Sequence, residues 1–283
     1  MENQKVWFIT GASRGFGLEI TKAALIAGDK GVATVRGQIN ELTEIAADNK
    51  NLHVLTLDVA NEAATKTAAE AAIEKFGKID VLVNNAGFGL LSAIEEGTDM
   101  EIRKMYDTNV FGLLHVTRAI LPYMRARKSG HVINISSVGG LASALGWGLY
   151  ASTKFALEGI TEAMADELKA LGIFATVVEP GYFRTNFLDG SSLTRAGNII
   201  DDYAGTVGQM REFATQVSYK QPGDPVKLAA AIIKLAASEN PPVHLPLGRD
   251  TLAAYRAKTA AMENDIASWE TVVVNTDHDD VAI

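Results

Sequence analysis

Cysteine is absent from the 283 residues, which excludes disulfides, thiolate nucleophiles and zinc–thiolate sites while leaving the redox compartment open. Histidine is scarce. His53, His115, His131, His244 and His278 stand far apart, without the spacing of metal ligands, so each is expected in solvent or core and no metal site is expected. Positive charge is also short: 26 Lys and Arg face 34 Asp and Glu, a formal net charge of −8. A chain without a basic face does not neutralise phosphate backbones, so nucleic acid is not an expected partner. Long apolar runs are missing too. The uncharged window from Val132 to Thr153 is broken by Asn134, Ser136, Ser137, Gly139, Gly140, Gly146 and Gly148, which predicts strand, loop and helix start rather than a membrane span. Met1 to Lys5 is short and polar and leads straight into a strand, so no targeting segment is read and a cytoplasmic location is expected. No internal repeat emerges.

What is present is a hydrophobic content of 47%, enough for one sizeable core, and an alternation of strand-like and helix-like segments. One α/β domain over residues 1–270 is expected, a doubly wound parallel sheet with helices on both faces, followed by an acidic tail at 271–283 that includes Asp277 and Asp280. The first strand, Lys5 to Thr10, runs into Gly11-Ala12-Ser13-Arg14-Gly15-Phe16-Gly17 and then a helix from Leu18 to Ala27. Glycines in that order let the backbone turn tightly and approach a pyrophosphate, whose charge faces the helix start, so this loop points to a dinucleotide. The second strand, Gly31 to Val35, is followed by Arg36-Gly37-Gln38, where an acid would hydrogen-bond the ribose hydroxyls of NAD. No acid stands there. Arg36 and Arg14 instead offer two guanidinium groups to a 2′-phosphate, the group that distinguishes NADP.

A candidate reaction centre lies further along. Tyr150 and Lys154 stand four residues apart at the start of a helix predicted over Tyr150 to Leu171 and therefore share one face. A lysine cation stabilises a phenolate and draws the tyrosine pKa down, which makes the pair a candidate general acid and base. Upstream, the strand His131 to Ile135 ends in Ser136-Ser137, placing a hydroxyl where α/β sheets gather ligands. Ser137 is placed to polarise a carbonyl held against Tyr150.

The glycine loop, Ser137 and Tyr150-x-x-x-Lys154 together resemble the classical short-chain dehydrogenase/reductase family, in the right order across about residues 5 to 186. The resemblance implies a Rossmann-type fold and a hydride exchange between a nicotinamide cofactor and a carbonyl or alcohol. It further implies that Asp58, with Val59 beside it, meets the adenine edge, and that Asn84-Asn85-Ala86-Gly87 is the signature closing the fourth strand. Asn109, inside a helical region predicted from the capping box Thr98-Asp99-Met100-Glu101 to about Arg125, corresponds to a residue at a helix distortion that holds a water linking the lysine to solvent. Pro180 and Gly181 belong near the nicotinamide, and Thr185 near its carboxamide. Lys154 also binds the nicotinamide ribose in that family. The arginine pattern goes there with NADP(H).

Residues 182–221 form a long connection rich in apolar side chains, read as a substrate lid over a hydrophobic ketone or secondary alcohol. A helix is predicted from Val226 to Ala237 after Asp224-Pro225, then a last strand from Val243 to Leu247. Where the common family pattern ends, this chain continues through a helical run at 250–269 with Leu252, Tyr255, Met262 and Ile266. Such extensions resemble those of hydroxysteroid and retinol dehydrogenases and bacterial ketone reductases. A monomer or homodimer is therefore expected in place of the family's tetramer. Two other readings remain open: a catalytically silent NADP(H)-sensing regulator, which would require a disabled reaction centre, and a dehydratase or epimerase, which the glycine spacing disfavours.

Overall fold

Short β-branched runs alternating with helices that are apolar on one face leave few ways to bury both. In the computed structural model, which describes residues 4–37 and 40–278, the chain begins with β1 (Val6–Ile9), α1 (Gly15–Ile26), β2 (Lys30–Val35), α2 (Asn40–Asp48), β3 (Leu52–Thr56), α3 (Glu62–Phe76) and β4 (Val81–Asn84). A short β5 (Gly89–Leu91) precedes α4 (Asp99–Tyr106), a π-helical turn at Asp107–Phe111 and α5 (Gly112–Arg127). There follow β6 (Gly130–Ile135), a single turn α6 (Val138–Leu141), α7 (Gly148–Lys169), β7 (Ile173–Pro180), β8 (Leu193–Arg195), α8 (Gln209–Val217), α9 (Pro225–Ala236), β9 (His244–Leu247) and α10 (Arg249–Val274).

Seven strands pair in parallel in the order β3-β2-β1-β4-β6-β7-β9. The chain winds outward from β1 to β3, returns to β4 beside β1, and winds out the other way. Loops leaving β1 and β4 thus diverge, opening a crevice at their carboxyl ends. The inner strands are buried on both faces, and alternate residues serve opposite layers. Trp7 and Ile9 pack with α1 and α9 on one side, while Phe8, Leu82 and Val132 pack with α3, α5 and α7 on the other. β5 and β8 form a separate parallel pair, with Gly89 opposite Leu193.

Helix ends follow local chemistry. The Asn61 side chain accepts from the Ala64 amide at 3.0 Å, and α3 stops at Gly77 with φ +78°. Thr98 and Glu101 form the anticipated capping box, and Asp224 caps α9 with Pro225 in its first turn. The helical region predicted to reach Arg125 carries a π-helical turn around Asn109, where a distortion was anticipated, and that side chain bonds outside its own helix. Two helix boundaries differ from expectation, those of α7 and α10. The helix carrying Tyr150 begins two residues earlier, at Gly148, and ends at Lys169. Ser137 caps a one-turn helix, accepting from the Gly139 amide at 3.1 Å. The last helix covers Arg249–Val274 rather than 250–269, so 271–274 are helical rather than frayed. Gln38 and residues 279–283 of the anticipated acidic tail lie outside the described residues. Among the described residues, no helix is long and apolar enough to cross a membrane.

Candidate active site

The crevice holds a cleft of about 520 Å³. Its lining includes Gly11, Ser13, Arg14, Gly15 and Phe16 from the loop after β1, Arg36 after β2, Val59 after β3, and Asn85, Ala86 and Gly87 after β4. Ser137, Tyr150, Lys154, Pro180, Gly181 and Thr185 line its other half. Three anticipated residues, Gly17, Asp58 and Asn109, are not among the lining, and each has a structural occupation.

Gly17 lies under the loop. A Cβ there would meet the Gly11 carbonyl oxygen at 2.5 Å, so the glycine permits the helix to approach the loop. Gly11 itself has φ +63°, and a Cβ on it would meet Ala86 Cα at 2.9 Å. The loop is stitched to the end of β4. Asn85 Nδ2 donates to the Thr10 and Gly11 carbonyls at 2.9 and 3.0 Å, while the Thr10 hydroxyl accepts from the amides of Asn85 and Ala86, each at 3.0 Å. Asn84 acts across the sheet. Its Nδ2 donates to Thr117 Oγ1 and Asn134 Oδ1, both at 2.9 Å, and Asn134 Nδ2 donates to Thr161 Oγ1 at 2.9 Å. This buried amide row joins α5, β4, β6 and α7, fixing both halves of the cleft relative to each other.

Asp58 accepts from the Ala60 amide at 3.0 Å in a turn. Asn109 Oδ1 accepts from the Phe88 amide at 3.0 Å, and its Nδ2 donates to the Phe88 carbonyl at 2.9 Å and to Thr153 Oγ1 at 3.1 Å. Its amide is thereby engaged as a clamp between the loop after β4 and α7. Arg14, in the cleft lining, is engaged as well. Its guanidinium donates to the Ser191 carbonyl at 2.5 Å and to the Ser192 hydroxyl at 2.9 Å, tying the glycine loop to the 182–221 connection, whereas Arg36 is exposed at the cleft edge.

At the floor, α7 brings Tyr150 and Lys154 to one buried face. The Ser137 hydroxyl hydrogen-bonds the phenol, and the lysine Nζ lies 5.7 Å from the tyrosine ring centroid. Burial pushes the phenol well above its usual range, with the Ser137 hydrogen bond acting the other way. The downward pull anticipated from Lys154 is not found, and desolvation prevails. Burial likewise brings Lys154 down to about 8, opposed by the charge of Glu158, and its Nζ donates to the Ile135 carbonyl at 2.8 Å.

Two features escaped the sequence reading. The first is an aromatic wall: Trp147 meets Tyr150 edge-on with ring centroids 5.7 Å apart, and Phe187 lies 5.5 Å from Tyr150 and 6.5 Å from Trp147. The apolar content of the connection was a visible signal, but its meeting with Tyr150 was not. The second is a buried carboxyl pair behind the floor. Glu158 accepts from the Ser136 hydroxyl, Glu179 pairs with Glu158, and His244 Nδ1 lies 3.1 Å from Glu179 and 3.6 Å from Glu158. Burial pushes both carboxyls up to about 7. The ligand atoms of these three residues lie within 4.8 Å of one another, a convergence that spacing along the chain does not show, with His244 at the exposed edge. His131, by contrast, is a core residue bonded to Thr176 at 2.9 Å, and burial brings it down to about 4.

The start of α1 has neither a side-chain cap nor an acidic residue in its first turn, and Gly15 and Phe16 face the cleft. Such a helix start accommodates an anionic group. Comparison with known proteins agrees with the geometry. The short chain dehydrogenase family model matches residues 5–195. A 3-ketodihydrosphingosine reductase of Bacteroides thetaiotaomicron is 35% identical, over 86% of this chain and 88% of that protein. A short-chain dehydrogenase from Streptomyces avermitilis superposes with a TM-score of 0.90 at 39% identity, covering 98% of this chain and 100% of that one. The closed form of serine dehydrogenase complexed with NADP+ does so with a TM-score of 0.73 at 28% identity, covering 86% and 94%. With a family model spanning the glycine loop, Tyr150 and Lys154, and relatives matching nearly end to end, the chain belongs to the short-chain dehydrogenase family of oxidoreductases.

Proposed function

We propose that this protein is an NADP(H)-dependent reductase of apolar ketones, working in reverse on secondary alcohols, with Tyr150 moving the proton at the substrate oxygen. The observation that carries the reading is the joint placement of Ser137, Tyr150 and Lys154 at the floor of a cleft walled by Trp147 and Phe187. A nicotinamide dinucleotide, when bound, supplies or accepts the hydride. Ser13, Gly15 and Phe16 at the start of α1 would hold its phosphates, Val59 would border the adenine, and Pro180, Gly181 and Thr185 would border the other end. Arg36 is exposed where a 2′-phosphate would lie, with no acid after β2 to favour a bare ribose. Arg14 would join it by exchanging its bonds to Ser191 and Ser192 for the phosphate, coupling cofactor binding to the lid.

Tyr150 donates its proton to the oxygen as alkoxide charge develops, and Ser137 donates a hydrogen bond to the same atom. A phenol raised by burial keeps its proton until that charge appears. Lys154 then stabilises the phenolate left behind, and Asn109 positions α7 through Thr153. Support for an apolar carbonyl comes from the aromatic wall and from the similarity to a reductase of 3-ketodihydrosphingosine. Support for NADP(H) comes from Arg36 and the similarity to an NADP+ complex.

The test follows NADPH and NADH absorbance against a panel of long-chain and cyclic ketones. NADPH-dependent turnover is expected, and Tyr150→Phe is expected to lower it by about 10²- to 10⁴-fold with NADPH binding retained. Full activity in that variant, or a preference for NADH, would remove the corresponding part of the reading.

A further inference from the structure

α10 leaves the body of the protein almost at once. Thr251 is buried, but every residue from Tyr255 to His278 is exposed. At 26 residues the helix is about 39 Å long, and most of that length projects from the fold. Its exposed face is patterned. Leu252, Tyr255, Met262, Ile266, Trp269 and Val273, with Thr259 as the one polar member, recur at alternating intervals of three and four, the period of a coiled-coil seam over three heptads. These apolar side chains are 41–64% exposed. Helices in proteins draw most of their stability from packing an apolar face, so such a seam in solvent marks a contact surface.

The charges flanking the seam identify what covers it. On one flank stand Arg249, Arg256, Glu263 and Glu270, and on the other Lys258 and Asp265. The amino-terminal half is basic and the carboxyl-terminal half acidic on both flanks. In a parallel pair Lys258 would meet the partner's Glu263, but Asp265 would meet the partner's Glu270, so attraction and repulsion cancel; an antiparallel pair opposes only unlike charges on both flanks. We propose that α10 pairs antiparallel with α10 of a second copy of this chain, about a two-fold axis passing between Ala260 and Ala261. With that single centre, Leu252 meets the partner's Trp269, Tyr255 the partner's Ile266 and Thr259 the partner's Met262. About the same centre, Arg249 and the partner's Glu270, Arg256 and the partner's Glu263, and Lys258 and the partner's Asp265 stand about two residues, or about 3 Å, apart in level along the axis, within reach of these long side chains. Apolar layers and charge pairs thus call for one register, and the contact is isologous, so it closes as a dimer. A lipid surface is disfavoured because the helix carries three basic and four acidic residues, with no basic face.

The test uses the full chain. Sedimentation velocity is expected to give the mass of two chains. Ile266→Asp is expected to give that of one, with unchanged melting temperature and circular dichroism of the body. Arg256→Glu and Glu263→Arg should each weaken the dimer by roughly tenfold, and the double variant should restore it. Because the natural chain has no cysteine, orientation is read by disulfide trapping. Leu252→Cys mixed with Trp269→Cys should cross-link under mild oxidation, and Leu252→Cys alone should not. A monomeric wild type, a dimer indifferent to Ile266→Asp, self-linking of Leu252→Cys, or binding to anionic vesicles by a monomer would each overturn the proposal. None of these readouts depends on turnover, so they stand apart from the proposed activity.

Discussion

The two longest helices of this protein differ in nearly every respect except length. α7 has 22 residues and buries nine of them, among them Tyr150, Lys154, Leu157 and Glu158, against the sheet. α10 has 26 and buries only Thr251. Each carries an apolar stripe, yet α7 surrounds its stripe with polar groups that need partners inside the fold, while α10 surrounds its own with opposite charges that need partners outside it. The difference teaches that amphipathicity alone says a helix is covered, and that the groups flanking the stripe say by what.

That contrast is open to experiment. The largest expected effect is on stability: Leu157→Ala, at a site 1% exposed, should cost about 2–5 kcal/mol by denaturant unfolding. A loss under about 1 kcal/mol would mean α7 is less firmly anchored than its burial implies. Next comes the carboxyl pair behind α7. Glu158 and Glu179 are raised from 4.5 to about 7, so the fold binds more protons than the unfolded chain between those values. The stability they contribute is complete below about pH 4.5 and is lost as pH rises through 7. The melting temperature should therefore fall across that window, and Glu158→Gln should flatten the fall; a flat wild-type profile would show that the pair is not held protonated. A smaller effect is expected at the cleft edge, where Arg36→Ala should weaken NADPH binding by roughly tenfold while leaving NADH binding unchanged, less so at high salt. Smallest of all, Ile266→Ala in α10 should change the unfolding free energy of the body by no more than about 0.5 kcal/mol, and a large loss would place α10 inside the fold.

Several site features were legible because they are local. Gly11 and Gly15 followed a strand and opened a helix, Tyr150 and Lys154 shared a helical face, and Thr98 to Glu101 formed a cap, all within a few residues of one another. Asn109 was legible as an oddity, a poor helix former within a helical run, and the π-helical turn there is its counterpart. The occupation of its amide by Phe88 and Thr153 was not, since both lie far along the chain. Arg14 shows the same limit: its place in the glycine loop was plain, but its bonds to Ser191 and Ser192 span more than 170 residues.

By itself the sequence determined the strand–helix alternation, the glycine loop, the position of the phenol and ammonium on one helix, and the apolar seam of α10, because each depends on backbone periodicity and near-neighbour sterics. Only the tertiary structure decided that Trp147 and Phe187 enclose Tyr150, that Glu158, Glu179 and His244 converge behind it, and that α10 stands clear of the body. Those outcomes depend on which segments the sheet order brings together, and on desolvation within the resulting interior. Residue spacing carries neither.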